Sequence, residues 1–145
     1  MYGRLNPAKP AGRNFIVLLF ACGLAACSPD GAAVAEADYP TRIVGNWQGQ
    51  VAGDNETMSF RADGEFVSLV RSGGFIDTTL GEGVTGKILG TWTIDGRSIT
   101  LNITSAEHER VSNRAATATI ETLKEDALVV KTSGGIASTF IRLRS

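Results

Sequence analysis

Few residues in this 145-residue chain have the type and spacing for bond-making chemistry. His108 is its only histidine and stands in Ala106-Glu107-His108-Glu109-Arg110, a charged stretch between apolar runs. An imidazole between two carboxylates has the elements of a metal site, but no second histidine exists to complete the ligand set. The same histidine would have to serve any serine–histidine–acid triad, and no Gly-x-Ser-x-Gly turn is present to expose a nucleophile. Asp54/Glu56 and Glu125/Asp126 bring carboxylates close, as acid–base chemistry requires. Their positions read as turns, where acidic side chains bond local backbone and keep to water. Gly81-Glu82-Gly83-Val84-Thr85-Gly86 echoes a phosphate loop without the following Lys-Ser/Thr or a helix to offer a positive end. His108 therefore reads as an exposed loop imidazole, and the chain as a non-enzyme with no metal and no cofactor.

The side chain placed for a defined covalent reaction is Cys27. Arg4, Lys9 and Arg13 precede an apolar stretch whose greasiest part is Phe15 to Phe20, and no acidic residue occurs before Asp30. Phe15 to Ala26 includes Gly23 and is far shorter than the ~20 residues of a spanning helix. A positive segment, a short apolar segment and small residues at a cleavage point make a secretory signal. The ending Leu24-Ala25-Ala26-Cys27 resembles the lipobox of bacterial lipoproteins. That resemblance implies a diacylglyceryl thioether on Cys27, which becomes the first residue of the mature chain, with the membrane as partner. Two or more acyl chains hold a protein on a bilayer where one does not. In such lipoproteins an Asp after the cysteine favours the inner membrane. Ser28 stands there instead, so the implied location is the outer membrane, facing the periplasm.

Loss of residues 1–26 would remove three of the 14 basic residues and none of the 15 acidic ones, leaving a net charge of −4. A mildly acidic chain with scattered charges has no footprint for nucleic acid and no basic patch for anionic lipid. Cys22 leaves with the signal and Cys27 is modified, so neither a disulfide nor a cysteine zinc site is expected. About 100 remaining residues suffice for one domain held by its own core.

Three segments follow: a signal over 1–26, the lipidated cysteine and a flexible tether over 27–42, and a folded domain over 43–145. The tether is small, polar and unpatterned between Pro29 and Pro40. From Ile43 on, short alternating apolar runs separated by turn dipeptides predict about eight strands, at 43–52, 57–62, 65–72, 85–95, 97–104, 116–123, 127–133 and 136–143. None is followed by an amphipathic helix. Asp95-Gly96 predicts a two-residue hairpin with Trp92 opposite Ile99, Gly90 opposite Leu101 and Ile88 opposite Ile103. Ala62-Asp63-Gly64 predicts a three-residue loop with Phe60 opposite Phe66. A third hairpin turns at Gly134-Gly135. On its strands Leu128, Val130 and Ile141 compete with Val129 and Phe140 for the inward face. Hairpin following hairpin favours an all-β, up-and-down antiparallel barrel, which leaves no open edge, over the competing sandwich.

Gly45-Asn46-Trp47, Phe60-Arg61-Ala62-Asp63-Gly64-Glu65-Phe66 and Gly90-Thr91-Trp92-Thr93-Ile94-Asp95-Gly96 together resemble the small lipocalin-like domains of bacterial lipoproteins. The resemblance spans residues 43–143 and implies a barrel able to bind a small apolar molecule. Trp47, Phe60, Phe66 and Trp92 would line its interior, with Gly45 and Gly90 letting a ring or strand approach and Gly90 and Ala118 keeping some volume open. The glycine-rich connection from Ser72 to Thr85 carries Phe75, Ile76 and Leu80; it reads either as an ordinary loop that tucks Phe75 and Ile76 onto the barrel end or as a candidate lid or partner surface. Two functions stay open: a tethered binder of a small hydrophobic ligand, or a filled barrel acting on an envelope protein through its outside.

Overall fold

The computed structural model describes residues 31–144 apart from 52, 53, 72, 82 and 108, with backbone alone for 50, 51, 54, 55 and 109. A 3-10 turn over Glu36–Asp38 leads into a one-turn helix α1 (Tyr39–Arg42). The strands are β1 (Gly45–Val51), β2 (Asp54–Phe60), β3 (Glu65–Val70), β4 (Gly86–Asp95), β5 (Ser98–Ala106), β6 (Ala115–Leu123), β7 (Ala127–Thr132) and β8 (Ala137–Arg142). A helix α2 (Phe75–Leu80) lies between β3 and β4, and a second 3-10 turn, Glu109–Val111, between β5 and β6. Each strand pairs antiparallel with the next, and β8 returns to β1, closing an up-and-down barrel.

Alternation decides which side chains fill it. Met58 and Phe60, Phe66 and Val70, Ile88 and Trp92, Ile99, Leu101 and Ile103, and Leu128 and Val130 all point inward and are buried. On β8 the inward residues are Ser138 and Phe140, while Ile141 is 54% exposed, which resolves the competing faces of the last hairpin. A bulge between Ile120 and Thr122 lets both Ile120 and Leu123 face the core.

The Phe60–Phe66 hairpin has the expected register, with Gly64 at φ +85°. The β4–β5 hairpin is displaced by two residues from expectation. Its turn is Gly96-Arg97, so Asp95 faces Ser98, Trp92 faces Leu101 and Gly90 faces Ile103. A bulge at Leu89/Gly90 then sets Ile88 opposite Ala106. A shift of two preserves every inward and outward assignment. The turn sits there because Gly96 leads it at φ +55° and because Arg97 is tied to β6. Its Nε and Nη2 donate to the carbonyls of Ile120 and Glu121 at 3.0 and 2.6 Å.

Packing begins before the expected boundary at Ile43. Tyr39 is buried, and the Val34 amide donates to the Leu123 carbonyl at 2.7 Å. Residues 34–42 thus cap one end of the barrel, beside the turns at 61–64, 96–97 and 124–126. The opposite end, the mouth, carries the connections 71–85, 107–114 and 133–136. Among the described residues, the cap, the ladders and the core all lie within 34–143. Helix α2 is a correction to the sequence reading, which expected no helix after any strand. At six residues it is too short to be stable alone, and it exists because Phe75 and Ile76 are buried in the mouth.

Candidate functional site

The four aromatic residues expected to line a ligand site gather at the capped end. Phe60 and Trp92 meet edge to face at 5.8 Å, and the Trp92 Nε1 donates to the Arg61 carbonyl at 3.1 Å. Phe66 lies against Gly90, where a Cβ would run into its ring and the Asn102 carbonyl. The volume that Gly90 was expected to leave open is therefore filled. Trp47 is fully buried, and its Nε1 donates to the Ile43 carbonyl at 2.7 Å. Together these side chains form the floor of the barrel.

Arg142, which carries no sequence signal of its own, locks that floor from outside. Its guanidinium stacks 4.1 Å from the Trp47 ring centroid. It donates to the carbonyls of Val44 at 2.7 Å, Glu125 at 2.6 Å and Arg42. Gly45 is favoured by its backbone at φ +138°, and the space beside it is taken by the Arg142 guanidinium, not by the indole that the sequence suggested. Burial lowers the Arg142 pKa from its ordinary value, opposed by the nearby Glu125 charge.

The mouth is built differently. Phe75 packs edge to face on Phe140 at 6.1 Å, and Ile76 is fully buried beside it, while Leu80 is half-buried. Asp77 straps the flanks of α2, its Oδ2 accepting from the Gly73 amide at 2.9 Å and its Oδ1 from the Val84 amide at 2.7 Å. The helix begins without a local side-chain cap. Its first amides go instead to a carboxylate inside the barrel. Glu56 accepts from the amides of Phe75 and Ile76 and from the Ser68 hydroxyl at 2.8 Å.

Glu56 is thus not the solvated turn residue that the sequence reading made it. It is 0% exposed, midway along β2 between Gly49 of β1 and the start of α2. Burial raises its pKa to about 7, against the lowering effect of Ser68 and the two amides, and Asp77 adds a smaller push upward. The signal was present in the alternation, because Glu56, Met58 and Phe60 share one face of the strand. Ser68, Thr132 and Ser138 are the other buried polar residues among those described, and all three also point inward in the mouth half. The Ser138 hydroxyl has no hydrogen-bond partner. Cys27 and His108 lie outside the described residues. Among those described, no cluster of histidine, cysteine and carboxylates is arranged for a metal.

No protein-family model matches the sequence, and no curated protein matches it. Among solved structures, the chain is similar to a lipocalin-like protein from Bacteroides uniformis, with 19% identity and a TM-score of 0.48 over 70% of this chain and 99% of that one. It is also similar to an uncharacterized protein from Bacteroides eggerthii, with 14% identity and a TM-score of 0.44 over 69% of this chain and 98% of that one. Eight antiparallel strands in sequence order, closed β8 to β1, define the fold as an up-and-down barrel, the architecture that lipocalins have.

Proposed function

We propose that this protein is a lipid-anchored envelope binding module that takes up a small apolar ligand at the mouth, in the space that α2 now occupies. One observation carries the reading: the mouth is plugged by a short helix latched to a buried carboxylate. A plug that served only to fill the barrel would gain from apolar contacts alone. Burying Glu56 without a counter-charge has a desolvation cost that an apolar residue would avoid. Perturbed titratable groups of this kind concentrate in functional clefts. The polar latch gives α2 hydrogen bonds that a ligand or water can replace once Phe75 and Ile76 leave the mouth.

The test uses residues 28–145, titrated with fatty acids, lysolipids and an environment-sensitive apolar dye while tryptophan fluorescence is followed. A saturable change with the fold intact by circular dichroism supports uptake. A flat response across the panel retires it in favour of the second reading, a filled barrel acting through its outside. That reading draws support from the fully buried Phe75 and Ile76 and from the exposed Leu69, Ile136, Ile141 and Leu143. Anchoring is tested separately: Cys27→Ser is expected to move the protein from the membrane fraction to the soluble one and to abolish incorporation of labelled palmitate.

A further inference from the structure

We propose that the ligand of the mouth chamber is a small apolar amine, its ring or branched chain seated where Phe75 and Ile76 lie and its ammonium group on Glu56. This rests on the uptake reading above and names the chemistry that the chamber would select.

The interior is divided by polarity. Its capped half is aromatic and aliphatic, whereas Glu56, Ser68, Thr132 and Ser138 all lie in the half beneath α2. Glu56 is the only charged side chain buried in the barrel among the described residues, so no buried cation is available to receive an anionic head group. A fatty acid would bring a second carboxylate beside Glu56, and two like charges in one buried site cost free energy.

What Glu56 now binds defines the complement. Every partner it has is a donor: the amides of Phe75 and Ile76 and the hydroxyl of Ser68. When α2 moves out, two of the three leave together, and a buried carboxylate stripped of its donors is unfavourable. The incoming molecule must replace them. An ammonium offers three N–H donors and the missing counter-charge, and hydrogen bonds between ionised groups are the strong ones. The Ser138 hydroxyl, 1% exposed and without a partner, offers a further acceptor on the same inner wall. Phe75 itself has the shape of such a ligand, presenting an aromatic ring to Phe140 and an N–H to Glu56 from adjoining atoms. The volume that it and Ile76 would vacate is that of one ring and one branched side chain. A small arylalkylamine fits that space better than a long acyl chain.

The experiment titrates residues 28–145 with 2-phenylethylamine, 2-phenylethanol and 3-phenylpropanoate, matched in ring and differing in head group. Amide chemical shifts are followed by NMR, together with the apolar dye of the uptake test. The expected result is amine binding at least about tenfold tighter than the carboxylate, with the largest shifts at Ser68, Phe75, Ile76 and Ser138. Glu56→Gln is expected to erase the preference for amine over alcohol. Should that variant fail to fold, the head-group ranking and shift map of the unaltered chain still decide the matter. Equal or tighter binding of the carboxylate, or amine shifts that bypass these residues, overturns the amine assignment and leaves uptake standing. If neither the three probes nor the dye binds, uptake itself is refuted.

Discussion

Glu56 shows how one side chain can govern the mouth. Unfolded, its carboxyl returns to about 4.5, whereas folded it is held near 7, with burial as the main cause. The folded state therefore holds the proton more tightly than the unfolded chain does. Its contribution to stability is fully present below about pH 4.5 and is lost as the pH rises through about 7. At ~1.4 kcal/mol per pKa unit, the loss amounts to roughly 3 kcal/mol by the alkaline side. The cost of ionisation is mainly that of burial; the amides of Phe75 and Ile76 offset part of it, and the like charge of Asp77 adds a smaller share. Urea unfolding at about pH 5 and about pH 9 should show a drop of roughly 2 to 3 kcal/mol in the native chain, and Glu56→Gln should flatten it. Parallel pH curves for the two proteins would exclude Glu56 as the cause. The residue was legible in principle from its place two residues before Met58 on an inward-facing strand. Its acidic type pulled the reading toward a turn, because an isolated carboxylate in a core is rarely stable without donors. Those donors come from Ser68 on β3 and from the start of α2, twelve and nineteen residues further along the chain.

At the scale of elements, α2 is held by two buried apolar side chains, Phe75 and Ile76, and by hydrogen bonds at both of its flanks. Asp77 joins both flanks of the helix, and Thr78 and Thr79 donate their hydroxyls back to the Gly74 and Phe75 carbonyls at 2.9 and 2.6 Å. Removing the strap should loosen the helix before it loosens the barrel. Asp77→Ala is expected to speed hydrogen exchange at the amides of 73–84 by about tenfold or more, with the β5 and β6 amides unchanged. Uniform acceleration across the strands would mean that α2 and the barrel open as one unit. The strands were readable because a two-residue period and turn residues act locally. Helix α2 was not, since a six-residue helix has no period to detect and is induced by the cavity it fills. The β4–β5 register was likewise beyond local signals. Asp95-Gly96 marks a turn there, but the anchorage of Arg97 on β6 selects Gly96-Arg97 as its centre.

For the whole molecule, the closed barrel leaves two ends to be sealed, and the chain seals them by different physics. At one end residues 34–42 fold over the floor, where Tyr39 is buried and Arg142 joins Arg42, Val44 and Glu125 across the base. Deleting residues 31–42 should cost about 2 to 4 kcal/mol, from the lost burial of Tyr39 and the uncovering of the Trp47 side of the core. Equilibrium unfolding of 43–145 against 31–145 measures this. A difference within about 0.5 kcal/mol would make the cap dispensable and restore the domain boundary to Ile43. Taken by itself, the sequence determined about eight strands and most of their inward residues and favoured an up-and-down barrel over a sandwich, because alternation and turn chemistry are local properties of the chain, whereas the closing pair of β1 with β8 is not. Only the tertiary structure decided where the aromatic floor lies, that Arg142 and residues 34–42 close it, and that Glu56 sits inside the mouth beneath α2. Each of those depends on groups far apart in sequence, whose burial costs are offset only when the closed barrel brings their partners together.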